Sequence, residues 1–417
     1  MTVQLPVVPK MLSSGLPDKE DLTWKEQPGG KQYFFSAFYD DREGGHVRIV
    51  SLVDRETKPP GFCRVWFREA GKTGLGGDLS SNDSIVRPAK LERNPKRGKY
   101  SASLYHCDVK GLPKPLAVSL VEDRNSAHTN SVPILKVIDK SRPSKWDANK
   151  LRRKIGVCVE TPLFEYSNFM RLIEFVEVYR TLGAEHFTLY NYTGDPVMNP
   201  VIRAYVQQGI MTLIPWNLPP NLRVNSVGNE ATEGVHYYAE LSSIQDCLYR
   251  TMYEFKYVVF VDTDEFIVPR KQNDLYAMLE SLPQDRAGYA FAKKEFIISP
   301  ATFDTYPAVK GKLDARLLRY RPACLLTSRR SRKIHSFSKR CCYKTIVKPE
   351  KVWLMDVHWI ERATESTFNA GGDLGSLHHY RQHFMGSGII TDASIFRFGE
   401  KILENIDKAV QYVRHTT

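Results

Sequence analysis

The chain has 417 residues, too many for one ordinary domain and suited to two, or to one large domain with an appendage. Its composition, 42% hydrophobic and 25% charged, is typical of a soluble globular protein, and it contains no apolar run of about 18 residues that could span a membrane. The formal net charge of +12 is compatible with a basic surface that aids solubility. It is equally compatible with an anionic partner such as nucleic acid, an anionic membrane or a nucleotide-activated substrate.

The cysteines and the N-terminus restrict the class of protein further. The seven cysteines include no Cys-x-x-Cys pair, which argues against a zinc ribbon, and their odd number permits up to three disulfides and one free thiol. Residues 1–15 lack the basic and apolar regions of a signal peptide. The tripeptides that begin at Asn82 and Asn191 are nevertheless glycosylation acceptors, which matter only in a secretory compartment.

The first third of the chain is predicted to be β-rich. Residues 1–28 are polar, with Pro and Gly, and are predicted to form a disordered lead-in or stem remnant. Residues 29–139 contain short runs of strand-forming residues broken by Gly- and Asp-rich turns, which indicates a sandwich-like N-terminal domain. A basic linker follows at 140–154. The predicted strands are 33–39, 47–53, 62–67, 116–121 and 132–137.

From residue 155 the pattern alternates strands and helices. The predicted strands are 155–159, 186–190, 210–214 and 256–261. The first helix between them is capped by Ser167 and ends at Gly183, and the next two cover 197–208 and 238–255. Short connections between such elements imply a right-handed parallel sheet of nucleotide-binding type, so residues 155–417 are predicted to form a second domain.

Beyond Arg270 the pattern is looser. A helix is expected at 273–282 and strands at 288–298 and 352–359. Between the two strands, residues 316–348 are basic and serine-rich. This segment is either a solvated loop or a lid that lays positive charge over a diphosphate.

The fourth strand ends in two acids, Asp262 and Asp264. Ligands of open α/β sheets bind outside the carboxyl ends of the strands, and a carboxylate pair there suits a divalent cation that carries substrate phosphates. The alternative is a pair of acids that caps the following turn or forms ion pairs with Arg270 and Lys271.

The sequence around these acids closely resembles glycosyltransferase family 92. The central matching segments are 172–184, 245–250 and 256–270, the last of which contains Asp-Thr-Asp-Glu-Phe-Ile-Val-Pro. The segments that resemble the C-terminal motifs and the opening segment of animal members are 344–349, 357–358, 379–381 and 36–42. The resemblance covers nearly the whole chain in the same order, which makes it far more specific than the acid pair.

The resemblance implies a fold and a reaction. The fold implied for residues 155–417, the catalytic domain, is α/β of GT-A type: a parallel-centred sheet that binds a nucleotide sugar, with the β-rich domain before it. The reaction is metal-dependent, inverting transfer of galactose from UDP-galactose in β-1,4 linkage to a galactose- or fucose-containing glycan on a glycoprotein or glycolipid. Asp262 and Asp264 are implied to bind Mn2+ (or another divalent cation) and UDP. His379 is implied to be the third metal ligand, with His358 and His378 as alternatives.

Further roles follow from the same reaction. The candidates to neutralise the diphosphate are Lys339, Lys344 and Arg381. Inversion needs a carboxylate base for the acceptor hydroxyl, and Glu361 and Asp356 are preferred to Asp304. Glu265 either contacts the ligand or orients the turn. The tryptophans that could stack on sugar rings or belong to the core are Trp353 and Trp359.

Family members are usually held in the Golgi by one N-terminal helix, which this sequence lacks. We expect a Golgi-lumen protein whose only membrane contact is an anchor outside this sequence, because the sequence begins after the anchor or the gene model is incomplete; a soluble member is the other reading. The alternative function is a catalytically inactive carbohydrate-binding protein of the same fold. Nucleic acid is not an expected partner, because the basic run 327–333 lacks interleaved aromatic residues.

Overall fold

The computed structural model describes residues 21–67, 84–93, 98–125, 131–222, 224–225, 234–298, 325–328, 331–333, 342–381 and 388–416. The chain divides into two compact units. The first consists of Met1–Arg142 with Leu218–Tyr237, and the second of Pro143–Asn217 with Tyr238–Thr417. Among the helices of these described residues, none is both long enough and apolar enough to cross a membrane.

The elements are numbered along the chain. The first strands are β1 (Lys25–Glu26), β2 (Gln32–Asp40), β3 (His46–Asp54), β4 (Phe62–Phe67), β5 (Ser84–Arg93), β6 (Tyr100–Asp108), β7 (Pro115–Val121) and β8 (Leu135–Asp139). The next elements are β9 (Arg153–Val159), β10 (Leu163–Phe164), α1 (Phe169–Thr181), β11 (His186–Thr193), α2 (Asn199–Gln207), β12 (Met211–Pro215), β13 (Val224–Asn225), β14 (Val235–His236), α3 (Glu240–Thr251), β15 (Phe255–Val261) and β16 (Glu265–Pro269). The last are α4 (Leu275–Glu280), β17 (Gly288–Ile297), β18 (Ser331–Lys333), β19 (Tyr343–Val347), β20 (Val352–Met355), β21 (Ile360–Ala363), β22 (Thr367–Ala370), β23 (Gly375–Arg381), β24 (Ile389–Thr391) and α5 (Gly399–Thr416).

The first unit is a closed, barrel-like sheet. The pairing runs β2-β8-β7-β4-β5-β6, and β3 pairs with both β6 and β2, so the ring closes. The predicted sandwich is therefore wrong, although the unit is β-rich as expected. Alternating burial gives the same pattern in a sandwich and in a closed sheet, because the difference lies in how the terminal strands pair. The sequence analysis also missed β5 and β6.

A late segment of the chain completes this first sheet. Strand β14 pairs in parallel with β6, with Val235 opposite Tyr100, and β13 pairs with β14. Residues 218–237 consequently belong to the first unit, so the second unit is interrupted where the sequence predicted one continuous segment, 155–417. The unit boundary between Arg142 and Pro143 falls inside the predicted linker 140–154.

Disulfides cross-link each unit internally. Cys63–Cys107 joins β4 to β6 within the buried core of the first unit, and Cys158–Cys247 joins β9 to α3 in the second. Cys342 is buried and takes part in neither of these two bonds. Persistent disulfides are characteristic of oxidising compartments.

Removing the second disulfide is expected to destabilise the second unit. It links residues 89 positions apart, so the double variant Cys158→Ser/Cys247→Ser should lose about 2–4 kcal/mol of unfolding free energy through a freer unfolded chain. Urea unfolding of purified protein measures this. Cys342→Ala is the control, since it removes a buried sulfur that belongs to neither of the two disulfides described above. A double variant as stable as the control would contradict the prediction.

The second unit contains the predicted parallel sheet. Strands β12, β11, β9 and β15 lie side by side in that order, and every pair is parallel. Beyond β15 the sheet becomes mixed, because β19 and β17 continue it in antiparallel pairing. The four predicted strands are thus confirmed. The predicted strand 352–359 is shorter, since β20 ends at Met355.

Helix α1 supports the strand that follows the acids. Its cap is Asn168, whose side chain accepts a hydrogen bond from the Arg171 N–H at 3.1 Å, and not the predicted Ser167. The helix ends where Gly183 adopts a φ of 97°. Tyr179 then fixes β16: its hydroxyl donates to the Glu265 carbonyl and accepts from the Ile267 N–H, both at 3.1 Å.

Most of the predicted basic lid, 316–348, lies outside the described residues, as does most of the lead-in. The described parts of the lid segment are 325–328, β18 and the residues from Cys342 onward. Of these, β18 pairs with β17 and β24, and β19 lies between β15 and β17 in the sheet.

Candidate functional site

Acidic residues follow two neighbouring parallel strands of the second unit. All seven residues of β15 are buried, and Asp262 comes directly after its last residue. Strand β9 lies beside β15 with Val159 opposite Val261, so Glu160 follows it at the same edge. The Glu160 N–H donates to the Val261 carbonyl at 3.0 Å, which fixes the two strand ends together. This edge is where α/β sheets bind ligands.

A threonine hydroxyl lies between two carboxylates at this edge. Thr161 Oγ1 is 2.7 Å from Asp262 Oδ1 and 3.0 Å from an oxygen of Glu240, the first residue of α3. Since the hydroxyl has one proton, it serves one acceptor at a time. Glu160, Glu240 and Asp262 each offer an oxygen within 4.8 Å of the others, a spacing that could hold a metal ion.

Lys344 of β19 is buried in the middle of these acids. Its Nζ contacts Glu160 Oε2 and lies 3.1 Å from Asp262 and 3.3 Å from Glu265, and its side chain is only 1% exposed. Burial would raise the pKa of Asp262, but the Lys344 ammonium and the Thr161 hydroxyl lower it to about 2. Burial raises the pKa of Glu160 and of Glu265 despite the same lysine.

Glu265 orients the acidic turn and the predicted histidine ligand. One carboxylate oxygen accepts from the Asp262 N–H at 3.1 Å, and the other lies 3.2 Å from His379 Nδ1. Strand β23 pairs with β16 so that His379 stands opposite Glu265. A carboxylate beside one ring nitrogen leaves the other nitrogen to face a ligand, as is usual for metal-binding histidines.

The second ring nitrogen of His379 faces Asp264. His379 Nε2 lies 3.5 Å from Asp264 Oδ2, and it accepts a hydrogen bond from Arg381 Nε at 2.9 Å. The Asp264 side chain is 34% exposed, so it can meet an incoming ion. Arg381 is also exposed and supplies positive charge next to this point.

The charge of the cluster favours a cation. The described carboxylates are Glu160, Glu240, Asp262, Asp264 and Glu265, and the buried cation among them is Lys344. In addition, Glu160 Oε1 is buried and has no hydrogen-bond partner within the described part of the chain. Carboxylate oxygens and an imidazole fit Mn2+ or a similar divalent ion, so the residues present fit a metal.

Sequence comparison identifies the family of this unit. A model of glycosyltransferase family 92 matches residues 153–416. The chain belongs to glycosyltransferase family 92. The resemblance found in the sequence is therefore confirmed, and as a member of family 92 the chain is a glycosyltransferase.

Two relatives of the chain come from Caenorhabditis elegans. The chain is 25% identical to the β-1,4-galactosyltransferase galt-1 over 399 residues, which cover 91% of this chain and 80% of that protein. It is 28% identical to the family 92 protein F13G3.3 over 144 residues, 33% of this chain and 27% of that protein.

Among solved structures, the chain aligns with glucosyl-3-phosphoglycerate synthase from Mycobacterium tuberculosis. One structure of that enzyme contains Mn2+, UDP and glucosyl-3-phosphoglycerate; it is 13% identical, with coverage of 58% of this chain and 78% of that chain and a TM-score of 0.25. A second, with phosphoglyceric acid, is 14% identical with a TM-score of 0.26. TM-scores this low do not establish a structural role for any residue of the family 92 chain.

The structure brings together five of the residues predicted for the metal and diphosphate: Asp262, Asp264, His379, Lys344 and Arg381. The Lys344 ammonium, however, contacts carboxylates, and its side chain is too deeply buried to contact a diphosphate in this arrangement. The predicted alternative pairing of the acids with Arg270 and Lys271 is wrong, because those cations pair with Asp392 and Asp373.

The alternative histidines lie elsewhere. His378 is fully buried and stacks on Phe296 with the ring centroids 4.3 Å apart, while its Nε2 lies 3.3 Å from Ser394 Oγ. His358 Nδ1 lies 3.1 Å from the Tyr343 carbonyl. Adjacent residues of a strand point to opposite faces, which explains why His379 reaches the acids and His378 does not.

The candidate bases are in different environments. Glu361 in β21 accepts a hydrogen bond from Trp359 Nε1 at 2.5 Å and is exposed, whereas Asp356 is buried. Trp353 lies under the Arg362 guanidinium, 5.4 Å from the ring centroid. The candidates Lys339 and Asp304 lie outside the described residues. A catalytic role for any of these residues stays a prediction.

The sequence analysis missed Glu160, Thr161 and Glu240. A signal for Glu160 was present, because it follows the first predicted parallel strand as Asp262 follows the fourth. Glu240 gave no such signal, since it lies within the predicted helix 238–255 and reaches the site only because α3 begins there.

Proposed function

We propose that the chain is a metal-dependent glycosyltransferase of GT-A type that transfers galactose from UDP-galactose. The proposed product is a β-1,4 linkage, with inversion, to a galactose- or fucose-containing glycan on a glycoprotein or glycolipid. The observation that carries the proposal is the acidic cluster at the ends of β9 and β15, with Asp264 and His379 at its exposed side. The 25% identity to galt-1 supports the choice of galactose.

Different residues of the cluster would bind the cation and fix the position of Asp262. A divalent cation held by Asp264 and His379 would neutralise charge on the departing UDP. Thr161 and Lys344 each hold one oxygen of Asp262. Asp262 is therefore fixed in position before a ligand arrives, which is the preorganisation that catalysis requires.

Arg381 is the candidate to neutralise the diphosphate among the three predicted cations, since Lys344 is buried and Lys339 lies outside the described residues. Arg381 donates through its Nε to the His379 Nε2 lone pair, which the cation would take over, so that metal binding would release the whole guanidinium for phosphate oxygens. We assign it this role in place of Lys344, whose ammonium is already surrounded by three carboxylates.

We also propose a Golgi-lumen location. The support is chemical: the disulfides Cys63–Cys107 and Cys158–Cys247 require an oxidising compartment. Of the two glycosylation acceptors, Asn82 lies outside the described residues. Asn191 lies near the end of β11, and its side-chain oxygen accepts a hydrogen bond from the Gly194 N–H at 2.9 Å.

A donor and acceptor screen tests the proposal. Purified protein is incubated with UDP-galactose, UDP-glucose or UDP-N-acetylglucosamine and a glycan panel, with Mn2+ or with EDTA. We expect galactose transfer with Mn2+, its loss in EDTA and its return with excess Mn2+. Equal rates in EDTA would contradict the metal site, and glycan binding without transfer of any sugar would identify the inactive carbohydrate-binding alternative.

A further inference from the structure

Three aromatic rings of the second unit stack together beside the acidic cluster. Phe164 of β10 lies 4.4 Å from Tyr238, centroid to centroid, with the ring planes 24° apart. Tyr192, near the end of β11, lies 6.0 Å from Phe164 with the planes 21° apart. Phe164 is 37% exposed, so one side of this aromatic platform faces solvent.

The platform belongs to the same chain segments as the acids. Phe164 follows Thr161 by three residues, which can span at most about 11 Å. Tyr238 precedes Glu240 by two residues, and Thr161 and Glu240 are joined by the 3.0 Å contact of the hydroxyl. A ligand held at the acidic cluster is therefore within reach of the platform.

Backbone strain is concentrated at the platform. Six non-glycine residues have positive φ in the described ranges. Four of them belong to the platform or are next to one of its residues in the chain: Glu165, Tyr237, Tyr238 and Ala239, with φ of 44°, 42°, 57° and 61°. Such conformations cost about 1–3 kcal/mol each and persist mainly at functional sites. The Tyr238 carbonyl is held in place by a hydrogen bond from Trp216 Nε1 at 2.8 Å.

We propose that the platform of Phe164, Tyr192 and Tyr238 binds the face of a substrate ring by stacking, a role that rests on the proposed transfer reaction. The rings that such a reaction brings to this edge are the base of the donor nucleotide and a sugar of the acceptor. Each presents a face that can cover the exposed side of Phe164. Phenylalanine offers no hydrogen bond, so the platform contributes affinity and orientation, and recognition of ring substituents comes from other groups.

Phe164→Ala tests the platform, with Phe169→Ala as the matched control. Phe169 is the first residue of α1 and is 42% exposed, but it is not one of the stacked rings. Calorimetry with UDP and Mn2+ gives the Kd of the nucleotide, and initial rates over a range of acceptor concentrations give the acceptor KM. We expect Phe164→Ala to raise one of these constants about tenfold or more, and Phe169→Ala to change neither.

The two measurements separate the sources of the ring. A raised Kd for UDP identifies the nucleotide base, and a raised acceptor KM with an unchanged Kd identifies the acceptor sugar. Phe164→Trp should keep the affinity, since it retains a flat face, and its fluorescence should change when the ring binds. If wild-type protein transfers sugar and Phe164→Ala matches it in both constants, the platform is wrong and the proposed function stands. If wild-type protein neither binds UDP nor transfers, the proposed function fails first.

Discussion

Replacing Asp264 with asparagine is expected to lower the rate of metal-dependent transfer by about a hundred- to a thousandfold. The amide keeps the shape of the carboxylate but removes its charge at the exposed side of the cluster, 3.5 Å from His379 Nε2. The affinity for Mn2+ should fall with the rate. Initial rates of galactose transfer across a Mn2+ titration give both quantities.

Asp373→Asn is the control for this change. Asp373 is an exposed carboxylate that forms an ion pair with Lys271 at 3.1 Å and takes no part in the cluster. We expect wild-type rates from it. Thermal unfolding of both variants should match wild type, because neither side chain is buried. An Asp264→Asn protein with an unchanged rate and an unchanged Mn2+ requirement would exclude Asp264 as a metal ligand.

Replacing Lys344 with methionine is expected to reduce the unfolding free energy by about 3–5 kcal/mol. Methionine fills the space of the stem, but it leaves Glu160, Asp262 and Glu265 without the ammonium that all three contact. A buried carboxylate that loses the ammonium it contacts must either stay charged at high cost or take up a proton. Urea unfolding of wild-type and variant protein measures the loss.

The loss should also depend on pH in a defined direction. Without Lys344, the pKa values of Glu160 and Glu265 rise further above those of the unfolded chain, since burial already raises them. Groups with a raised folded-state pKa favour the folded state when protonated, and that advantage disappears as pH rises. The deficit of Lys344→Met should consequently be larger at about pH 8 than at about pH 5.

Lys271→Met provides the matched control. Lys271 and Asp373 form a pair whose side chains are 62% and 69% exposed, and exposed pairs contribute about 0–1 kcal/mol. A Lys344→Met protein that unfolds at the same urea concentration as Lys271→Met would show that the buried lysine does not stabilise the cluster.

The parallel sheet and its acids could be predicted because their signals are local. Apart from Lys256, strand β15 consists of apolar and aromatic residues, and the two acids follow it within three positions. Such a run predicts a strand buried on both faces, and the end of the run marks the ligand edge. The alternation with helices predicted that these strands are parallel, whereas their order in the sheet was not predicted.

The interior of the site could not be predicted, because its contacts join distant parts of the chain. Lys344 and Glu160 are separated by 184 residues, and Thr161 and Asp262 by 101. The resemblance to family 92 indicated Lys344 as a cation near the nucleotide, but its burial among carboxylates depends on β19 lying next to β15. The closed sheet of the first unit was missed for the same reason: β3 pairs with two strands, and one of them, β6, was not predicted.

The interruption of the second unit by residues 218–237 limits how the protein can be divided. A cut between Arg142 and Pro143 does not yield two complete halves, because β13 and β14 would stay with the second part and lose their partner β6. The first unit would in turn lack the last strands of its sheet. During synthesis its sheet is finished only after β9, β11 and β12 of the second unit have been made. Neither unit is one continuous stretch of the chain, so neither can be exchanged between proteins as a single uninterrupted block.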